Sequence, residues 1–416
     1  MGRRLDAPVL AGERHRARSR RDDLRVPLAA LRIAGVVVIV LAISAASIAG
    51  ITAWRLSHEL ASRAVDLGGR AAPAALSGGF DVLIVGVDNA PGQSSWGAAR
   101  QATMNDVDIV VHIAADHRSG VVLSIPRDLV IDQPACPDPR SKQVAAAVQQ
   151  MPLNTAFSRG GLGCVARTVA HLTGLTIPYA AQFSFQGTVA MADAVGGVPV
   201  CVDHAIHDPY SGLDLPAGRS VITGRTALAY LRNRHGVGDG SDLARISSQQ
   251  AYMSALMRKM TSSSTLTSPQ RLYALASTAA TAVTLSTSMA RIDTLVSMLL
   301  AVKGIPTSQM VFVQFPTEPD PANPNKVVPA AALASALLHR VQTDQPVRLA
   351  ASTRGYSTTV KAPRSTPSAA PRSTQGSSAA PSGPAPTASP KRAGSALSGL
   401  NGQTAAQQTC SRSSSG

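Results

Sequence analysis

The chain has 416 residues and a formal net charge of +15, and only 3% of its residues are aromatic. A basic balance of this size points first to nucleic acid. Here the excess sits largely in an N-terminal arm (Arg14, Arg16, Arg18, Arg20, Arg21 and Arg25) and a C-terminal tail, with no stacking platform or recognition motif, so nucleic-acid binding is set aside.

In chain order, residues 1–32 form the basic arm, and no charged residue interrupts Ile33–Trp54. At about 1.5 Å per helical residue, that run crosses a hydrocarbon core of about 30 Å. It is longer than the apolar region of a cleaved signal peptide, about 7 to 15 residues, and no A-x-A pattern ends it. The expectation is one transmembrane helix over 33–54, with the arginine-rich arm cytoplasmic and everything beyond a linker at 55–79 outside the cell membrane. In that oxidising compartment Cys136, Cys164, Cys201 and Cys410 are read as disulfide candidates, since no C-x-x-C spacing suggests a metal. A Cys136–Cys164 bridge is expected, closing a loop whose constraint contributes about 3 kcal/mol. Cys201 is an alternative partner for either.

Phe80–Val87 is a nearly continuous apolar run, as in a strand buried on both faces. Asp108–Ala114 and Gly120–Ile125 read as a hairpin, and Tyr179–Phe185, Val198–Val202 and Met310–Phe315 as further strands. Helices are expected at Leu162–Leu172, Gly187–Ala194, Thr223–Leu231 and Asp242–Met260, with core-packing helix across Leu266–Ala301. The alternation predicts an α/β fold over 80–345, three layers with a central mixed sheet between helices. Residues 354–416 are rich in Ser, Pro, Ala, Thr and Gly, a composition that predicts a disordered tail.

Asp88 directly follows the first strand and Asp106 precedes the second. Ligands of open α/β sheets bind at the carboxyl ends of strands, and two carboxylates there suit Mg²⁺. Arg127 follows the third strand through Pro126, Arg232 and Arg234 are two apart, and Asp242, Arg245 and Gln249 share one helical face. Guanidinium grips phosphate bidentately, so the arginines point to a pyrophosphate between them.

The segments FDVLIVGVD, NDVDIVVHI, VVLSIPRDL, LNTAFSRGGLGC, DAVGGVPVCVDHAI, LPAGRSVITGRTALAYLRNRHG and GSDLARISSQQ follow one another in the order and spacing of LytR-CpsA-Psr domains, which the chain resembles over roughly Phe80–Met260. The resemblance implies an enzyme, a phosphotransferase that ligates a polyprenyl-pyrophosphate-linked glycopolymer to peptidoglycan outside the cytoplasmic membrane, with Mg²⁺. By motif, Asp88 and Asp106 hold the metal. Arg127, Arg232, Arg234, Arg245 and Gln249 bind the pyrophosphate, and Asp128 orients Arg127. The chain departs from the pattern at Ala90 and Pro152, where members often carry Arg and Lys; Arg100 or Lys142 are candidate replacements. A non-catalytic lipid- or glycan-binding relative and a pyrophosphate hydrolase are the competing readings.

Overall fold

The computed structural model describes residues 25–68, 78–88, 102–137, 143–262, 267–350, 358–360 and 396–414. The chain divides into two units, 1–55 and 56–416. Most of helix α1 (Arg25–Ser62) lies in the first. From Ala29 onward it is the one helix among the described residues long and apolar enough to cross a membrane, and Ile33, Val40, Ile48 and Trp54 are exposed on it. The last turns of α1 belong to the second unit, where Leu60 is buried in a small core with Ala181, Ala280 and Val283. The linker expected over 55–79 is therefore helix as far as Ser62, because this apolar side chain has a core to enter.

The second unit continues with β1 (Phe80–Val87), β2 (Asn105–Ile113), β3 (Gly120–Ile125), α2 (Ala156–Thr173), β4 (Tyr179–Phe183) and α3 (Phe185–Ala194). Next come β5 (Val198–Val202), β6 (Gly218–Ile222), α4 (Gly224–Arg232), α5 (Asp242–Met260), α6 (Pro269–Ala282), β7 (Val283–Leu285) and α7 (Ile292–Lys303). The chain then forms β8 (Met310–Gln314), α8 (Ala331–Gln342), β9 (Thr358–Val360), β10 (Gly402–Thr404) and β11 (Thr409–Ser411).

Both faces of β1 are apolar and both are used. Leu83, Val85 and Val87 enter one core with Val165 and Val169 of α2 and Leu337 and Val341 of α8. Phe80 and Val82 enter another with Met298 and Ala301 of α7, against which Met253 and Met257 of α5 pack. This period-two division makes the sheet the middle of three layers. Its seven strands run β7-β4-β1-β2-β3-β8-β10, with β1 parallel to β4, β3 parallel to β8 and the other neighbours antiparallel, so the sheet is mixed. A second sheet, β6-β5-β11-β9, has its own core under α4 and α5 around Val198, Ile222, Tyr230 and Tyr252.

Three expectations change. Helix α2 is two helical pieces joined across a kink at Gly160 and Gly161, the latter at φ 64°: the piece expected from Leu162 begins there, and a short one from Ala156 precedes it. The helical stretch expected over 266–301 is two helices parted by β7, which adds to the sheet edge beside β4. The disordered tail expected over 354–416 gives way at both described stretches. β10 caps the edge of β8, β9 and β11 join the second sheet, and Cys410 is bonded to Cys201. Backbone pairing and a disulfide hold these segments, neither of which composition reveals. Cys136 and Cys164 form the other disulfide.

At the end of the sheet away from β1's carboxyl terminus, His112 of β2 is buried between Asp81, 2.8 Å from Nδ1, and Asp344, 3.1 Å from Nε2. Burial disfavours its charge, but the two carboxylates outweigh burial and hold its pKa above the ordinary 6.5. The folded state thus binds this proton more tightly than the unfolded chain. The bridge stabilises fully below pH 6.5 and the contribution is lost as pH rises through the raised value. Denaturant midpoints measured across pH 5.5 to 8.5 should fall in this window for the native chain, and the fall should be smaller in His112→Asn.

The Cys201–Cys410 bridge spans a sequence separation of 209. Chain entropy alone assigns such a closure about 5 kcal/mol. Cys410→Ser should lower unfolding free energy by several kcal/mol in urea titrations, whereas an unchanged midpoint would show that β11 is held by pairing alone.

Candidate active site

Two strand ends build the acidic side. In the β1–β2 register Val87 faces Asn105, so Asp88, just past β1, and Asp106, the second residue of β2, lie at the same end of neighbouring strands. Met104 closes the pairing: its carbonyl accepts from the Asp88 N–H at 3.1 Å, and its N–H donates to Asp88 Oδ1 at 2.9 Å. Asn105, fully buried, donates from Nδ2 to both Asp108 oxygens at 2.9 and 2.8 Å and accepts from the Phe157 N–H at 3.1 Å, tying β2 to the start of α2. Burial pushes the Asp108 carboxyl well above the usual carboxylate range, against the opposing pull of the Asn105 bond. Residues 89–101 and 138–142 lie outside the described residues, and with them Ala90, Arg100 and Lys142. Pro152 ends the strand Val148–Pro152, where its carbonyl accepts from Gln133 Nε2 at 2.8 Å.

Arg127 stands at the centre. The antiparallel β2–β3 register carries it, through Pro126, back beside Asp106, and Nη1 donates to Asp106 Oδ1 at 2.7 Å. Nε lies 3.3 Å from Asp242 Oδ1 and 3.5 Å from Asp128 Oδ2, neither aligned as a hydrogen bond. Asp128 also pairs with Lys326. Burial opposes the Arg127 charge, but Asp106 and Asp242 more than offset it and raise its pKa. Asp242 opens α5, where the Ser241 hydroxyl accepts from the Ala244 N–H at 3.1 Å and an acidic first turn suits the helix dipole. One turn on, Arg245 Nη2 sits 2.6 Å from Asp242 Oδ1 and donates to the Asp106 carbonyl at 3.2 Å. Burial lowers the pKa of Arg245, and the charges of Arg127 and Arg234 push the same way. Arg245 Nε is buried with no hydrogen-bond partner.

These groups open onto a cavity of about 430 Å³. Asp106, Arg127, Arg232, Arg245 and Gln249 line it together with apolar side chains including Ile84, Phe183, Leu228, Met253 and Leu256. Arg232, at the end of α4, lies over the Phe185 ring at 4.6 Å, and Gln249 Nε2 donates to the Leu231 carbonyl at 2.9 Å. Of the residues singled out in the sequence, Asp88, Asp128, Arg234 and Asp242 are not in the cavity wall. Arg234 is exposed on the following loop, with Nε donating to the Gly240 carbonyl at 2.8 Å. Several guanidinium groups in one place repel one another unless negative charge lies between them. Asp106, Asp128 and Asp242 supply it around Arg127. Asp242 was visible only as part of a helical face, and the apolar wall was indistinguishable from core.

Among the described residues no group of three or more His, Cys, Asp or Glu side chains gathers as a metal cage. Asp88 and Asp106, at the same sheet end, are the side chains that would hold Mg²⁺, an ion that takes one or two carboxylates and fills its octahedral shell with water and phosphate oxygens.

The sequence model of the LytR_cpsA_psr family matches residues 56–344. The chain belongs to this family. Cell wall biosynthesis protein LcpA of Corynebacterium glutamicum is 34% identical over 227 residues, covering 49% of this chain and 44% of LcpA. The polyisoprenyl-teichoic acid–peptidoglycan teichoic acid transferase TagU of Halalkalibacterium halodurans is 27% identical over 189 residues, covering 45% of this chain and 55% of TagU. The chain thus spans about half the length of the curated relatives it matches. Two crystal structures share its fold. A Streptococcus agalactiae protein superposes with a TM-score of 0.52 at 20% identity, covering 66% of this chain and 92% of its own. Bacillus subtilis TagV superposes at 0.50 and 21%, covering 65% and 98%. Strands β9 to β11 lie beyond the family match.

Asp242 is the carboxylate shared by the buried Arg245 and the partly buried Arg127, and removing one partner of a buried pair costs about 3 to 5 kcal/mol. Asp242→Ala should therefore lose stability on that scale in thermal or urea unfolding. Millimolar inorganic pyrophosphate should restore more stability to the variant than it adds to the native chain.

Proposed function

We propose that this LytR_cpsA_psr protein is a phosphotransferase that ligates a polyprenyl-pyrophosphate-linked glycopolymer to peptidoglycan on the outer side of the cytoplasmic membrane. The observation that carries the reading is the cavity's mixed lining, mostly apolar but including Arg127, Arg232, Arg245 and Gln249. A lipid pyrophosphate is mixed in the same way, an isoprenoid chain that leaves water and a diphosphate that seeks bidentate donors. The teichoic acid transferase names of TagU and TagV relatives support the same chemistry. Two disulfides suit an oxidising compartment, and the arginine-rich arm before α1 suits a cytoplasmic N-terminus.

In this mechanism the isoprenoid occupies the apolar wall while Arg232 and Arg245 grip the diphosphate. A hydroxyl of the peptidoglycan glycan attacks the phosphorus that bears the polymer. A new P–O–C bond forms, the P–O bond to the lipid phosphate breaks, and polyprenyl phosphate leaves with the displaced electron pair. The hydroxyl proton passes to a carboxylate of the Asp88–Asp106 pair. Mg²⁺, held by Asp88 and Asp106, would neutralise charge developing on the phosphoryl oxygens. Arg127, pinned by three carboxylates, keeps Asp106 in place and presents the positive end of the network to the transition state.

Arg232→Ala should lower transfer of a lipid-linked glycan to peptidoglycan by about 100- to 1,000-fold, the usual effect of losing one anion-stabilising donor. Its unfolding temperature should stay close to native, because Arg232 is only half-buried. Lys at this position should recover little, since it lacks the planar fork. Full transfer by the alanine variant would remove the reading, as would cytoplasmic activity of a reporter that works only there, fused after Gly416.

A further inference from the structure

We propose that the exposed ring of Tyr210, beside the arginine loop, is a stacking subsite for a pyranose ring of the glycan; the assignment of the ligand rests on the transferase reading above. Aromatic side chains are scarce in this chain, and the large ones of the folded unit are mostly interior: Tyr179, Tyr230, Phe312 and Phe315 are fully buried. Tyr210 is 79% exposed.

Its exposure is built. The hairpin Ile206–Asp208/Leu213–Leu215 pairs Asp208 with Leu213, and the buried Asp208 organises the turn between them. Oδ1 accepts from the Tyr210 N–H at 3.0 Å, Oδ2 from the Ser211 hydroxyl at 2.8 Å, and the carbonyl from the Gly212 N–H at 2.9 Å. Gly212 closes the turn at φ 71°, a conformation other residues adopt only with strain. Two bonds to the buried Asp208 carboxylate and one to its backbone carbonyl fix the turn from which the ring projects, so less conformational entropy remains to be lost when a ligand binds.

The ring is also placed. Its centroid is 4.5 Å from that of His235, tilted by 44°, so His235 backs one side and the rest faces solvent. His235 directly follows Arg234, whose charge is felt at Arg245 in the cavity wall, and it lies three residues after Arg232, another wall residue. The loop between is firm. Gly236 N–H donates to the side chain of the buried Asn233 at 2.9 Å, and Gly238 N–H to the carbonyl of Arg412 at 2.9 Å. The diphosphate of the donor is bonded directly to a sugar, and the attacking hydroxyl belongs to another sugar. An aromatic face held against the loop that follows Arg232 is placed to meet a pyranose from one source or the other. Such a ring offers apolar C–H faces to an aromatic surface and hydroxyls at its rim. On the same hairpin His207 and Asp214, exposed and 3.9 Å apart, supply polar groups for those hydroxyls.

The test uses the full chain in detergent micelles with two probes: a short-chain polyprenyl pyrophosphate carrying N-acetylglucosamine, and a soluble N-acetylglucosaminyl-N-acetylmuramic acid disaccharide from peptidoglycan. Binding is followed by saturation-transfer NMR and titration. Tyr210→Ala should weaken one probe about tenfold, and which one identifies the sugar as donor or acceptor. Tyr210→Phe should stay within about twofold, because the ring face is what binds. Tyr273→Ala, at an exposed tyrosine of α6, should change neither. Equal binding of both probes by native chain and Tyr210→Ala overturns the subsite, as does a Phe variant as weak as Ala, or a native chain that binds neither probe. A native chain that binds sugar through Tyr210 but transfers nothing leaves the subsite and removes the transferase reading. A chain that transfers normally with Tyr210-independent binding does the reverse.

Discussion

A guanidinium taken out of water must find negative charge nearby, and Arg127 finds it on three separate pieces of the chain: Asp106 on β2, Asp128 beside itself and Asp242 at the head of α5. Leaving any such group unpaired costs several kcal/mol, far more than a surface contact returns. The position of α5 over the sheet is therefore set by charge at one end as well as by apolar packing along its length. Once its first turn is held at Arg127, the helical period places Arg245, Gln249, Tyr252, Met253 and Leu256 along one cavity. Remove the charge anchor and the wall loses its register with the strand ends.

That anchor also shows how a site can gather several arginines, since the charge of Arg127 is met by carboxylates of the chain itself. The carboxylates hold Arg127 in place, although its Nε, like that of Arg245, is buried without a hydrogen-bond partner. A ligand anion finds the donors already oriented, with reorganisation confined to small adjustments between neighbouring charges.

Much of this was written plainly in the sequence. FDVLIVGV, apolar at every position but Asp81 and Gly86, has to be buried on both faces, and it is. The polar residues at strand ends stood out because they interrupt such runs, which is why Asp106 and Arg127 could be picked out, whereas Arg232 stood out by its spacing to Arg234 in YLRNRHG. The apolar wall could not be separated from core, since Leu256 and Met253 obey the same helical period whether they face a cavity or another helix. Arg234 illustrates the limit of spacing arguments: two residues from Arg232, it leaves the helix and turns to the Gly240 carbonyl. The C-terminal segments were hidden for a different reason. Averaged over 354–416, composition is that of a disordered chain, yet Gly402–Thr404 and Thr409–Ser411 need only backbone partners and one cysteine to be held.

The capping of β8 by β10 has a further consequence for how the molecule is made. β8 is almost wholly apolar, and its outer backbone groups are paired by Val311–Thr404 and Val313–Gly402 contacts with a segment far downstream. Until that segment arrives, β8 is a flat hydrophobic sheet edge with unmet donors and acceptors, the template on which chains add to one another. Long-range closure of this kind is also slow, because the intervening chain must be brought back before any bond rewards it. The nascent protein thus passes through a stage in which most of its core can already be packed while its sheet remains open to a neighbour. The late-arriving strand is a guard against self-association as much as a part of the fold.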